Sequence, residues 1–295
     1  MLRYAVIVLA GACSFGVMST FVKLAYSNGY SLGEVAGAQY LFGILILWSL
    51  VVAGRVTGRT KKRPSGGRDP VWRLVLSGLP VGMVSVFLYK SMQFLPASIA
   101  IILLMQFVWI GIIIELLVFK VRPTPSQIVS MFLIMGGTLM AAGLFNEQQL
   151  ELSAIGVIYG LVAAFFFSIY LIVMARVGYG YTPVEKSAVI ITGAGFFIFL
   201  IFPPVYIFNG TLTGGLWRWG LLMSTFGTVV PPLFFAVGTP RIGATLSSIL
   251  ASAELPVAVA LSYFILSEEV TALQWVGIAV ILMAIAISNL SKKRT

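Results

Sequence analysis

Glu254 sits ten residues into the 23-residue apolar run 244–266, and Pro256 follows two positions later. A carboxyl at the middle of a hydrocarbon slab costs about 2.5–3.5 kcal/mol on insertion scales unless it is partnered or faces water. A proline inside a helix removes a backbone hydrogen bond and frees carbonyl oxygens, and such carbonyls line cavities in interrupted membrane helices. The pair could therefore take up and release a proton, or supply a counter-charge for an amine. The plainer alternative is a carboxyl hydrogen-bonded to the next helix as a structural tie.

Other polar side chains share the apolar runs. Glu115 lies four residues before Phe119, near the inner end of its run, and could reach Lys120 or the inner lipid headgroups. Lys23, Glu34 and Lys90 fall near the ends of the first three runs on one side. Lysines at helix ends usually snorkel, yet opposite charges at equal depth, Lys23 and Glu34 above all, could close a gate. Gln39, Tyr40, Tyr89, Gln93, Gln106, Trp109 and Tyr170 form a further tier. Gln106 and Trp109 are three apart and share one helix face. An amide beside an indole suits a solute with an apolar body and a polar group, and an aromatic ring also suits an organic cation. Helix packing is an equal alternative for each of them singly. Phe165-Phe166-Phe167 reads as lipid-facing bulk rather than a substrate box.

Much chemistry is excluded. Histidine is absent and Cys13 is the single cysteine. Imidazole relays, histidine triads, internal disulfides and multi-cysteine metal sites therefore drop out. There is no Gly-x-x-x-x-Gly-Lys-[Ser/Thr] run to cradle a nucleotide. No cofactor or metal is expected.

These residues need elements to hold them. Hydrophobic residues are 59% of the 295 and charged ones 9%, a balance that cannot cover a water-soluble surface. A membrane-spanning helix needs about 20 apolar residues. Ten runs qualify: 4–26, 32–54, 72–93, 97–118, 128–145, 153–175, 188–208, 219–238, 244–266 and 273–290. None alternates as a barrel strand would, and backbone groups in lipid must be satisfied within the segment. The fold class is all-α integral membrane, with ten transmembrane helices.

The net charge of +10 would point to nucleic acid in a soluble protein. Here its placement decides otherwise. The one long connection, 55–71, carries Arg55, Arg59, Lys61, Lys62, Arg63 and Arg68, which reads as a cytoplasmic loop. With that loop inside and ten helices alternating, 16 of the 19 basic residues fall inside. Only Lys23, Lys90 and Arg218 fall outside, together with the loop acids Glu147, Glu151, Glu268 and Glu269. Both termini are then cytoplasmic, the first run is a retained helix, and the lipid bilayer rather than nucleic acid is the partner.

The chain also repeats itself. Residues 147 apart correspond: Ala97 with Ala244, Thr124 with Thr271, Gln127 with Gln274. Splitting near Leu150 gives two units, 1–149 and 150–295, of five helices each. Five is odd, so the two must be inverted relative to one another. Inverted repeats are the usual construction of secondary transporters, which place the substrate near the midplane between halves. Small residues cluster in the fifth helix (Gly136, Gly137, Ala141, Ala142, Gly143) and the tenth (Gly277, Ala279, Ala284, Ala286). Such residues let helices approach closely, either within the chain or as the face of a homodimer.

Several short runs together resemble a known family. Ala97-Ser98-Ile99-Ala100 opens the fourth helix, Ala253-Glu254-Leu255-Pro256-Val257 occupies the ninth, Leu266-Ser267-Glu268-Glu269 ends it, and Gln274-Trp275-Val276-Gly277 opens the tenth. In that order they resemble the EamA-type ten-helix branch of the drug/metabolite transporter superfamily, over nearly the whole chain. Where the family often carries a proline in the fourth helix, this chain has Gln106-Phe107-Val108-Trp109. The resemblance implies export or exchange of small organic solutes, such as amino acids or related metabolites, across a bacterial inner membrane. Glu254 would then be the candidate for proton coupling. The alternatives are an intramembrane lipid-modifying enzyme, for which paired carboxylates or a nucleophile with a base are missing, and a structural or sensory membrane protein.

Overall fold

The computed structural model describes residues 1–57, 67–95, 97–141, 153–266 and 270–291, and their regular structure is helical throughout. Ten helical segments appear among them. They are α1 (Leu2–Ser27), α2 (Leu32–Val56), α3 (Val71–Phe94), α4 (Ile99–Phe119), α5 (Pro125–Ala141), α6 (Ala154–Arg176), α7 (Pro183–Ile201), α8 (Leu212–Ile242), α9 (Ala244–Ile265) and α10 (Ala272–Ser291). Eight are long and apolar enough to cross a membrane, and α5 and α10 are shorter apolar helices. The middle of the 55–71 loop, the 150 boundary, Glu147, Glu151, Glu268, Glu269 and the basic residues after 291 lie outside the described residues.

Local chemistry explains most helix ends. Ser31 and Glu34 close a capping box on α2, and Thr182 and Glu185 close one on α7, each satisfying donors that a helix start leaves open. The repeat-matched pairs do the same work twice. Thr124 N donates to Gln127 Oε1 at 2.8 Å, and Thr271 N donates to Gln274 Oε1 at 2.8 Å. The segment α7 starts five residues earlier than the apolar run suggested, because Thr182 caps it and Pro183 fits a first helical position. It ends at Ile201, before Pro203-Pro204. Lys186 thereby moves from a loop into the first turns of α7 and is buried. Helix α8 is longer than expected and contains two wide π turns, Leu212–Leu216 and Ser224–Val229. The second runs up to Pro231-Pro232, which cannot donate to the carbonyls one turn back.

Two helices break at positions 147 apart. Helix α4 is interrupted at Gln106 and α9 at Ser252-Ala253. In α9 the cause is Pro256, which leaves the carbonyl of Ser252 without its regular helical donor. In α4 no proline is needed. The Gln106 side-chain Nε2 donates to Ile102 O at 3.1 Å, while its backbone N turns to Leu103 O at 3.2 Å.

The packing itself shows the inversion. Ser130 Oγ donates to Ala284 O at 2.8 Å, and a Cβ on Gly277 would lie 2.5 Å from Gly137 O. A shift of 147 residues carries Ser130 to Gly277 and Ala284 to Gly137, so one contact is the repeat image of the other. As residue number rises along α5 it falls along α10, and these equivalent helices are therefore antiparallel. Other pairings exchange in the same way: α1 with α8 mirrors α6 with α3, and α2 with α8 mirrors α7 with α3. The small residues Gly137, Ala141, Gly277 and Ala284 are consumed in this contact within the chain. Ala142 and Gly143 lie outside the described residues.

Candidate functional site

Between the halves lies a cavity lined by residues of α1, α2, α3, α4, α6, α8 and α9. Its floor is the broken part of α9. Glu254 opens the second segment of that helix, is 3% exposed and presents its carboxyl to the cavity. Its Oε2 has no hydrogen-bond partner among the described residues. Gly16 makes the approach of α1 to this break possible, since a Cβ there would stand 2.5 Å from the Glu254 carbonyl oxygen.

The opposite wall is a buried polar network. Tyr89 OH donates to Gln39 Oε1 at 2.7 Å, and Gln39 Nε2 points to Met18 Sδ at 3.5 Å. Tyr40 OH lies 3.1 Å from the Val81 carbonyl and 2.9 Å from Ser85 Oγ. Tyr170 is fully buried, with its hydroxyl unpartnered among the described residues. Aromatic rings complete the lining: Phe15 and Phe167 meet edge-on at 5.9 Å. Gly227, in the second π turn, leaves the space that a side chain would fill, since its Cβ would come within 2.9 Å of Gln39 Nε2. The volume is about 40 Å³, room for a few water molecules. An organic solute needs the walls to part.

Five residues singled out in the sequence thus meet here: Glu254, Gln39, Tyr40, Tyr89 and Tyr170. Others stand elsewhere. Trp109 Nε1 donates to Gln106 Oε1 at 2.8 Å, so this pair satisfies itself beside the α4 break, outside the lining. Lys90 lies over the Tyr159 ring at 5.6 Å and Gln93 is exposed. Lys23 is half-buried, whereas the Glu34 carboxylate is engaged by Ser31 N and Oγ, each at 2.8 Å, in the α2 cap.

Two expectations need correction. Glu115 does not reach for Lys120, which instead caps α4 in a left-handed conformation. It is buried and accepts from Arg176 Nη2 at 3.1 Å and from Thr245 N at 2.9 Å, as well as from the Thr245 hydroxyl. The three phenylalanines also divide. Phe165 is exposed, Phe166 stacks on Phe87 at 5.7 Å, and Phe167 is buried in the cavity wall. Phe15, Met18 and Ser85 were not singled out in the sequence, and Phe167 was read there as facing lipid. The spacing Phe167–Tyr170, three apart on one face, was a usable signal.

The model of the EamA-like transporter family matches residues 2–143 and 154–290. The chain belongs to this family. The two matched segments are the two five-helix units, so this EamA protein is a multi-pass membrane protein of the drug/metabolite transporter type. Among curated proteins none matches the sequence. One solved crystal structure superposes over 98% of this chain and 98% of its own, with a TM-score of 0.72 at 15% identity. At that identity the likeness concerns the fold alone.

Proposed function

We propose that this EamA protein is a secondary transporter of small organic solutes, amino acids or related amine-bearing metabolites, in a bacterial inner membrane. It exports or exchanges them by alternating access around the central cavity. Glu254 serves as the proton-coupling group or the counter-charge for the solute's amine, and the rings of Phe15, Tyr40, Tyr89, Phe167 and Tyr170 receive its apolar body. Both termini face the cytoplasm. Of the described basic residues, Arg3, Arg55, Arg68, Arg73, Lys120, Arg122, Arg176, Lys186 and Arg241 gather at one end of the alternating helices, which the positive-inside rule assigns to the cytoplasm.

The observation that carries the reading is the Glu254 carboxyl, buried at a helix break and facing a cavity with one oxygen unpartnered. A structural tie would bond both oxygens to a neighbouring helix, because an unmet polar atom in an apolar interior costs about 1–3 kcal/mol. The matched breaks in α4 and α9 support a rocking motion of one half against the other.

The test is flux into liposomes carrying the purified protein, with a panel of labelled amino acids and organic amines, with and without a pH gradient. Saturable flux is expected. Glu254→Gln should lose gradient-driven accumulation and keep exchange of solute across the two faces. Gradient-driven accumulation that survives Glu254→Gln would remove the proton role, and no saturable flux for any amine would remove the substrate class.

A further inference from the structure

A second cavity, of about 460 Å³, opens at the end of the bundle where α1 begins, α6 ends, α7 begins and α8 ends. It is separate from the central one and shares no lining residue with it. Three cationic side chains line it, Arg176, Lys186 and Arg241, with the rings of Tyr4, Tyr179 and Tyr181, and no acidic residue does. We infer that this cavity binds an oxyanion, a phosphate or carboxylate carried on an organic body.

Lys186 is the core of the argument. It is 4% exposed, and its Nζ donates to Met174 O at 2.7 Å, a carbonyl in the last turn of α6. An ammonium has three donors, so two remain for other partners. It forms no ion pair among the described residues, although a buried charge is stable only when paired or well solvated. The loop is shaped around it. Gly178, at φ 95°, leaves room for the lysine stem, since a Cβ there would lie 2.7 Å from Lys186 Cδ. Asp69 spends its Oδ2 on Gly178 N at 2.8 Å and Tyr179 N at 2.9 Å, which fixes the loop. Arg241 lies over the Tyr4 ring at 5.7 Å, with no carboxylate paired to it among the described residues. Arg176 gives one nitrogen to Glu115 and keeps 38% of its side chain exposed. Guanidinium and ammonium donors converging on one space are the usual receptors for oxyanions, and the tyrosine rings suit a flat body attached to the anion.

The oxyanion could belong to a free solute or to an anionic lipid headgroup, and one experiment separates the two. Phenyl phosphate is titrated by calorimetry into the full chain purified in a neutral maltoside detergent, with and without phosphatidylglycerol in the micelles. Saturable binding is expected, weakening as salt rises, with no response to benzyl alcohol. Arg241→Gln, at an exposed position, should weaken it roughly tenfold, and Lys186→Met more. Arg218→Gln, at the opposite end, should leave it unchanged. Competition by phosphatidylglycerol assigns the site to a headgroup, and indifference to that lipid assigns it to a solute. Absence of saturable binding by both phenyl phosphate and phosphatidylglycerol would overturn the inference, as would unchanged binding in Arg241→Gln.

Discussion

Glu115 makes a contact between helices whose strength can be worked out and measured. Helix α9 starts after Gly243, which has no side chain to cap it. The cap comes from α4 instead, as the Glu115 carboxylate receives the Thr245 N–H at 2.9 Å and the Thr245 hydroxyl. Glu115→Ala removes a buried anion from a helix N-terminus, worth up to about 2 kcal/mol. It also strands a buried N–H, at about 1–3 kcal/mol. Arg176 is 38% exposed and can turn to water, so its share is about 0–1 kcal/mol. A destabilisation of about 2–4 kcal/mol follows, allowing for overlap between these contributions. At roughly 2–4 °C per kcal/mol for a chain of this size, the melting temperature should fall by about 4–16 °C. Glu115→Gln keeps an acceptor for Thr245 N and should fall by less than half as much. The measurement is the folded fraction left after heating in detergent, read by size-exclusion chromatography. A Glu115→Ala protein that melts within about 2 °C of the parent would refute this account of how α9 begins.

Three further perturbations address the architecture and the cavity. In a Cys13→Ser background, Ser130→Cys with Ala284→Cys should cross-link within one chain. Ser130→Cys with Val276→Cys, at an exposed position about 12 Å further along α10, should not, and the reverse result would mean a different crossing of the two halves. Gly193→Val should abolish folded protein in detergent, because the added Cβ would stand 2.0 Å from the Val75 carbonyl oxygen; normal yield would show that α3 and α7 pack otherwise. Gly227→Leu should plug the central cavity at the flexible Met18 side chain. Solute flux is expected to fall more than about tenfold while the melting temperature falls by no more than about 12 °C, the cost of overpacking; undiminished flux would place the path elsewhere.

Much of the fold could be read from residue order. The apolar runs located all ten helices because span length and hydropathy are properties of a segment alone. The pairs Thr124/Gln127 and Thr271/Gln274 carried the repeat because a capping box is a local device, complete within four residues. Helix ends were less legible. The start of α7 depended on Thr182 and Pro183 outweighing the hydropathy that pointed further on. The central cavity was half legible. Polar residues inside spans stood out, so Glu254, Gln39, Tyr40, Tyr89 and Tyr170 were found. Phe15 and Met18 were not, and Phe167 was assigned to lipid, since an apolar side chain in an apolar span gives no sign of which way it faces. Gln106 and Trp109 were drawn toward the site by spacing that in fact let them bond each other.

Composition, the order of the apolar runs and a repeat of five helices were enough to establish a ten-helix membrane protein made of two inverted halves. That follows because lipid requires every span to satisfy its own backbone and an odd count reverses the second unit. Partners across helices were decided only when the chain was folded. Glu115 meets Arg176 and Thr245, Lys186 meets Met174, and Glu254 meets a cavity, across separations in sequence that no local rule relates. The rotation of each helix about its axis sets these contacts, and that rotation is chosen by the packing of all its neighbours together.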